Sequence, residues 1–158
     1  MSTQRDRLGS SGVFKVIVDV SRKIKRALSE SDRELSPAAE ELAHKVAQAF
    51  IAGRYADVHA LGTPSFQGAT RRDRFEASWT EATADYRPLT GFAVSDYGPI
   101  ELAFIPGLEE TPQSQFVAFV EITFSSVDIP VDSESAFTIG VVLLDQGGAL
   151  RIGALHAR

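Results

Sequence analysis

RRDRFEASWTEATADYRPLTGFAVSD, residues 71–96, is where the chain changes period. Phe75, Trp79, Ala82 and Tyr86 recur at spacings of three and four, the repeat of one helix face. Pro88 ends that helix, because the residue before a proline is pushed out of the α region. Leu89–Asp96 then reads as a strand. The residues before this switch are helical in pattern and those after it are extended. A helical block over residues 36–87 followed by a strand block over residues 89–156 means α+β, with the helices on one face of an antiparallel sheet.

Upstream of the switch, Ser36-Pro37 is a strong helix opening, serine as cap and proline at the first helical position. Leu42, Val46, Ala49 and Phe50 form its buried face, and Gly53 is its stop. A short second helix follows from Tyr55 to Leu61, with Tyr55, Val58 and Leu61 inward, and Gly62-Thr63-Pro64 breaks it. Thr70 and Asp73 have capping-box spacing at the start of the third helix, with aspartate in place of glutamate.

Downstream, Ile100–Ile105 is a second candidate strand after Tyr97-Gly98-Pro99, and Gly107–Ser114 is a polar loop. Gln115–Val127 is the longest strand. Phe116, Ala118, Val120, Ile122 and Phe124 face one way; Val117, Phe119, Glu121 and Thr123 face the other. Ala136–Leu144 and Ala149–His156 flank Gln146-Gly147-Gly148, a hairpin signal. The expected core is Leu42, Val46, Phe50, Phe75, Trp79, Phe116, Val120, Ile122 and Val142, shared between helices and sheet.

A chain of 158 residues suggests one domain with a real core. There is no cysteine, which removes disulfides and thiolate sites and fits a reducing compartment. No run of about 18 apolar residues is present, so no span is expected. Val13–Val20 resembles a signal core, but Lys15 and Asp19 interrupt it and no small-residue cleavage site follows. The expectation is a bacterial, cytoplasmic protein.

The net charge of −5 hides an asymmetry. Residues 1–28 carry seven positive side chains against Asp6 and Asp19, a charge of +5; the remainder is −10. The acidic body argues against nucleic acid as a partner. Residues 1–12 read as a flexible terminus. Residues 13–35 read as a basic amphipathic segment and charged linker. Val13, Ile17, Val20, Ile24 and Leu28 make a helical stripe beside Lys15, Arg22, Lys23, Lys25 and Arg26, although β-branching leaves a strand over Val13–Val20 open. Full burial of its aliphatic side chains is worth about 1.5–3 kcal/mol each, which offsets the ordering of the segment only in part. Docking on protein is the first reading; a membrane surface is the second.

AQAFIAGRYADVHAL (Ala47–Leu61), RRDRFEASWTEATADYRPL (Arg71–Leu89), FVAFVEITF (Phe116–Phe124) and VVLLDQGGALRIGAL (Val141–Leu155) together resemble the nuclear transport factor 2-like superfamily. The resemblance covers residues 36–158. It implies three helices on a curved antiparallel sheet that enclose a cone-shaped cavity, and homodimers formed through the outer sheet face. The same cone hosts isomerases, dehydratases, polyketide cyclases, epoxide hydrolases and non-enzymatic binding domains, so it does not name a reaction.

On that resemblance Trp79, Tyr86, Tyr55 and Phe75 are the expected cavity wall, able to hold a small apolar ligand. Asp57 and His59, two apart, point to different sides of the second helix and read as surface residues. Glu121 and Thr123 belong to the outer sheet face, near the implied dimer contact. Glu101 reads as solvated. His156 shares strand parity with Leu150 and Ile152, which assigns it to an apolar face. Arg71-Arg72-Asp73-Arg74 reads as a solvated charge run. No metal-ligand cluster, phosphate loop or nucleophile elbow is readable, so no cofactor and no metal are expected. The expectation is a non-catalytic ligand-binding or protein-interaction domain; the alternative is an isomerase, dehydratase or cyclase with an acid–base pair in the cone.

Overall fold

The computed structural model describes residues 35–158. The basic segment expected over residues 13–28 lies outside the described residues. The helical layer holds α1 (Pro37–Ala52), α2 (Tyr55–Ala60), α3 (Pro64–Ala69) and α4 (Arg72–Thr83). The sheet is a four-stranded antiparallel meander of β1 (Leu89–Asp96), β2 (Phe116–Ser126), β3 (Phe137–Gln146) and β4 (Ala149–Ala157), in that order. The fold is α+β.

Local chemistry explains the helix ends. Ser36 Oγ accepts from the Ala39 amide at 3.2 Å, and Pro37 occupies the first turn. Gly53 closes α1 in the left-handed region at φ 75°, where the Arg54 amide reaches back to the Ala49 carbonyl.

Where three helices are expected over residues 36–87, four α-helices form among the described residues. Gly62-Thr63-Pro64 does end α2, but Thr63 then repeats the Ser36-Pro37 device: its hydroxyl accepts from the Phe66 amide at 3.0 Å and opens α3. The capping box expected at Thr70 and Asp73 is absent. Arg71 is the cap residue, and Asp73 accepts from Arg71 and from the Arg74 amide instead.

The hairpin between β3 and β4 turns on Gly147 and Gly148, at φ 66° and 91°, the backbone that a two-residue turn with twisted strands demands. Ile100–Ile105 is not a strand. It forms a short 3-10 turn within the β1–β2 connection, residues 97–115, and this connection lies against the outer face of the sheet. Leu102 is fully buried there, and Gln113 holds the turn by accepting from the Leu102 amide at 2.8 Å and donating to the Ile100 carbonyl at 2.9 Å.

Two apolar clusters result. The inner one joins helices to sheet through Leu42, Val46, Phe50, Phe75, Val120, Ile122, Phe124 and Ile139. The outer one holds Leu102, Leu108, Phe119, Val142 and Leu144 under the connection. The expected core splits between them. Trp79 packs on the inner cluster but is half-buried, and Ala82 is exposed. Val142 is buried on the outer side and Phe116 packs half-buried beside it, not with Val120. The reason is a β-bulge at Val117, where the register passes from Phe116↔Leu144 to Ala118↔Leu143. One extra residue reverses which face the preceding side chains use.

The helical layer is also joined to the edge of β4. The Thr63 amide donates to the Ile152 carbonyl at 2.9 Å, and the Ile152 amide donates to the Leu61 carbonyl at 3.0 Å. This backbone pairing shields part of an otherwise open edge.

Candidate functional site

Tyr55, Phe75, Trp79 and Tyr86 meet at the junction of helices and sheet. Phe50 is the hub: its ring centroid lies 5.1 Å from Tyr55, 5.2 Å from Trp79, 5.6 Å from Phe124 and 6.4 Å from Phe137. Tyr86 packs on Phe137 at 5.0 Å, and Phe75 lies 6.4 Å from Trp79. Most of these pairs are edge-on or tilted, the arrangement that ring quadrupoles favour.

A chain of donors runs beside these rings. Arg87 donates to the Ile51 carbonyl at 2.9 Å, to the Phe50 carbonyl at 2.8 Å and to the Tyr55 hydroxyl. Thr83 donates to the Trp79 carbonyl at 2.8 Å, which makes Tyr55 the donor in its 2.7 Å contact with Thr83. Both hydroxyl protons are therefore committed. Arg87 serves as a side-chain cap on the last carbonyls of α1. No local pattern marks this role, because its partners are backbone atoms more than thirty residues away.

His59, expected on the surface, is instead buried, at 8% exposure. Its Nε2 lies 2.8 Å from the Thr70 carbonyl and 3.2 Å from the Gln67 carbonyl. Carbonyls only accept, so Nε2 carries a proton. The ring also sits 5.2 Å from Phe75 and 6.2 Å from Phe66. The error follows from α3, whose end supplies the partners. Asp57 is exposed and pairs with Arg54 at 3.0 Å. Those two residues border an open groove of ≈ 200 Å³ between α1 and α2, with Lys45 and Gln48 on its other side.

The second assembly lies on the outer sheet face. Ser95, Glu121, Gly140 and His156 form one row across the four strands. Directly opposed residues of antiparallel strands share a face, so the row faces outward with Glu121. Strand parity alone puts His156 on the apolar face of Leu150 and Ile152. A bulge at Gly153 overturns this: Ile152 pairs with Leu143 but Ala154 pairs with Val142. The extra residue turns His156 to the outer side, where its ring centroid lies 5.8 Å from that of Phe119.

Arg158 crosses the row. Its Nη1 lies 2.8 Å from Glu121, and its guanidinium sits 4.8 Å from the Tyr97 ring centroid and 5.9 Å from that of Phe119. Both partners of the ion pair are half-shielded, so the pair is screened less than a fully exposed one. Burial of the imidazole pushes the pKa of His156 down, and the Arg158 charge adds to the shift. Thr123 and Thr138 meet at 3.2 Å in the neighbouring row. The outer position of Glu121 and Thr123 agrees with their strand parity; their grouping with Arg158, His156 and Tyr97 was not readable.

Arg71 and Asp73 form an exposed 2.9 Å pair, which holds the Asp73 carboxyl below its usual pKa and raises that of Arg71. Among the described residues no group of three or more histidines and carboxylates is placed to hold a metal ion, and no helix is long and apolar enough to cross a membrane. No family model, curated protein or solved structure matches the chain.

Proposed function

We propose that the chain is a non-catalytic interaction domain that pairs with a second copy through the outer face of its sheet. The reading includes the cone-shaped architecture of the nuclear transport factor 2-like superfamily. The observation that carries it is the outer row of Glu121, Gly140 and His156 crossed by Arg158. Tyrosine and arginine, here Tyr97 under Arg158, are residue types enriched at interfaces. A face with the Thr123–Thr138 pair at its centre and an Arg–Glu pair beside it offers both shape and hydrogen bonds to a twofold copy.

The inner side supports a protein partner over a small ligand. The rings of Phe50, Trp79, Phe124 and Phe137 pack on one another in the region where the cone would hold a ligand. An acid–base enzyme in that region needs hydroxyl or carboxyl groups free to exchange protons. The Tyr55 and Thr83 protons are engaged in the donor chain that begins at Arg87.

Sedimentation velocity of the full chain over a range of concentrations tests the reading. The expected species has twice the 17.1 kDa mass of the chain. Thr138→Arg sets a second positive charge near Arg158 at the centre of the face, and is expected to weaken association by at least about tenfold. A monomer at every concentration overturns the proposal.

A further inference from the structure

We infer that the β1–β2 connection is a docking platform for this chain's own residues 13–28. The connection is a built element. Leu102 and Leu108 anchor it on Phe119, Val142 and Leu144, and Gln113 closes it with two hydrogen bonds. Its outward side is different in kind. Phe104 is 79% exposed; Tyr97, at the start of the connection, is 53% exposed and already carries the Arg158 guanidinium on its ring. Glu101, Glu109 and Glu110 stand exposed on the same segment, which has no lysine or arginine over residues 97–115. An exposed aromatic side chain set among carboxylates is a binding surface for an apolar partner of the opposite sign.

The chain supplies that partner. Residues 1–28 carry +5, and within them Val13, Ile17, Val20, Ile24 and Leu28 line one side of a helical repeat with lysines and arginines beside it. Residues 89–158 carry two positive and nine negative side chains, a charge of −7. Both the apolar stripe and the charge therefore match. Reach is sufficient. A six-residue tether, residues 29–34, can span up to about 20 Å, against a radius of gyration of about 14 Å for a compact domain of this length. The platform lies on the outer face and α1 on the inner one, and β1 is the edge strand between them. Arg87, just before β1, caps the end of α1, and Phe92 meets His44 at 5.2 Å, so α1 begins toward the end of β1 from which Tyr97 departs and the tether has that one edge to round. A second copy is the poorer occupant, because two acidic platforms repel each other. The inference does not depend on pairing through the Glu121 row.

The full chain has no cysteine, which makes paired labelling clean. Spin labels at Lys25→Cys and Glu109→Cys, measured by electron–electron dipolar spectroscopy, are expected to give one narrow, short distance at low salt. It should broaden at about 1 M salt, where the screening length falls to about 3 Å. Glu101→Lys with Glu110→Lys, and separately Phe104→Ser, should broaden it as well. The distance should survive dilution with excess unlabelled chain. A broad distribution at low salt overturns the inference. So does a narrow distance that vanishes on dilution, which places the segment on a second copy, or one that the platform substitutions leave unchanged. If the segment is broad in solution and ordered only on phosphatidylglycerol vesicles, a membrane surface is its partner instead.

Discussion

The imidazole of His156 occupies the space that a side chain at Gly140 would need. A Cβ built on Gly140 falls 2.9 Å from His156 Nε2 and 3.0 Å from a ring carbon of Phe119. The glycine is thus a gap in the outer row, and the gap lets a ring from the next strand pack at a tilt beside Phe119. Gly140→Ala should cost about 1–3 kcal/mol in urea unfolding, the range for overpacking. The penalty should shrink in a His156→Ala background, because one of the two crowded groups is gone. An equal cost in both backgrounds would contradict the geometry.

The lowered pKa of His156 has a sign that can be worked out. Folding disfavours the protonated ring, so the unfolded chain binds more protons below the ordinary histidine value of 6.5. The stability from this group is complete above that value and is lost as pH falls through it. Wild type should lose more stability than His156→Gln between about pH 7.5 and pH 5.5. Parallel pH profiles from chemical denaturation would contradict the assignment.

Arg87→Met removes the cap on Phe50 and Ile51 and one partner of Tyr55. A loss of about 1.5–3 kcal/mol is expected, the scale of hydrogen bonds to a charged group. Arg87→Lys should recover little, since an ammonium cannot serve diverging acceptors with a planar fork. Full rescue by lysine would show that charge near the helix end, not the fork, is what matters.

Phe50→Ala empties the hub of the inner ring cluster and should cost about 3–5 kcal/mol. Phe104→Ala, on the surface inferred to hold residues 13–28, should cost far less than Phe50→Ala, and its cost should fall below about 0.5 kcal/mol at about 1 M salt, where the segment is released. Thermal unfolding of both variants checks the contrast.

The helix order and the final hairpin were legible because each carries its own local signal. Ser36-Pro37 and Gly53 mark α1, and Gly147-Gly148 mark the turn. Two single-residue insertions were not legible. Val117 reverses Phe116, and Gly153 reverses His156, because strand parity carries a one-residue shift along everything beyond it. Gly153 inside an apolar run was a usable sign of a bulge. Thr63-Pro64 was a usable sign of α3, since it repeats the opening of α1. The Arg87 cap and the Arg158–Glu121 contact had no such sign; both depend on chain crossings that only the assembled sheet creates.

Pairing through the outer face is tested most directly by one spin label at Thr123→Cys in the otherwise cysteine-free chain. Any dipolar signal must then come from a second copy. Thr123 lies in the middle of β2 on the outward face, beside Thr138. A single narrow, short distance that disappears on dilution with unlabelled chain is the predicted result. No dipolar signal, at concentrations where the chain sediments as a dimer, would show that the copies meet elsewhere and would contradict the account.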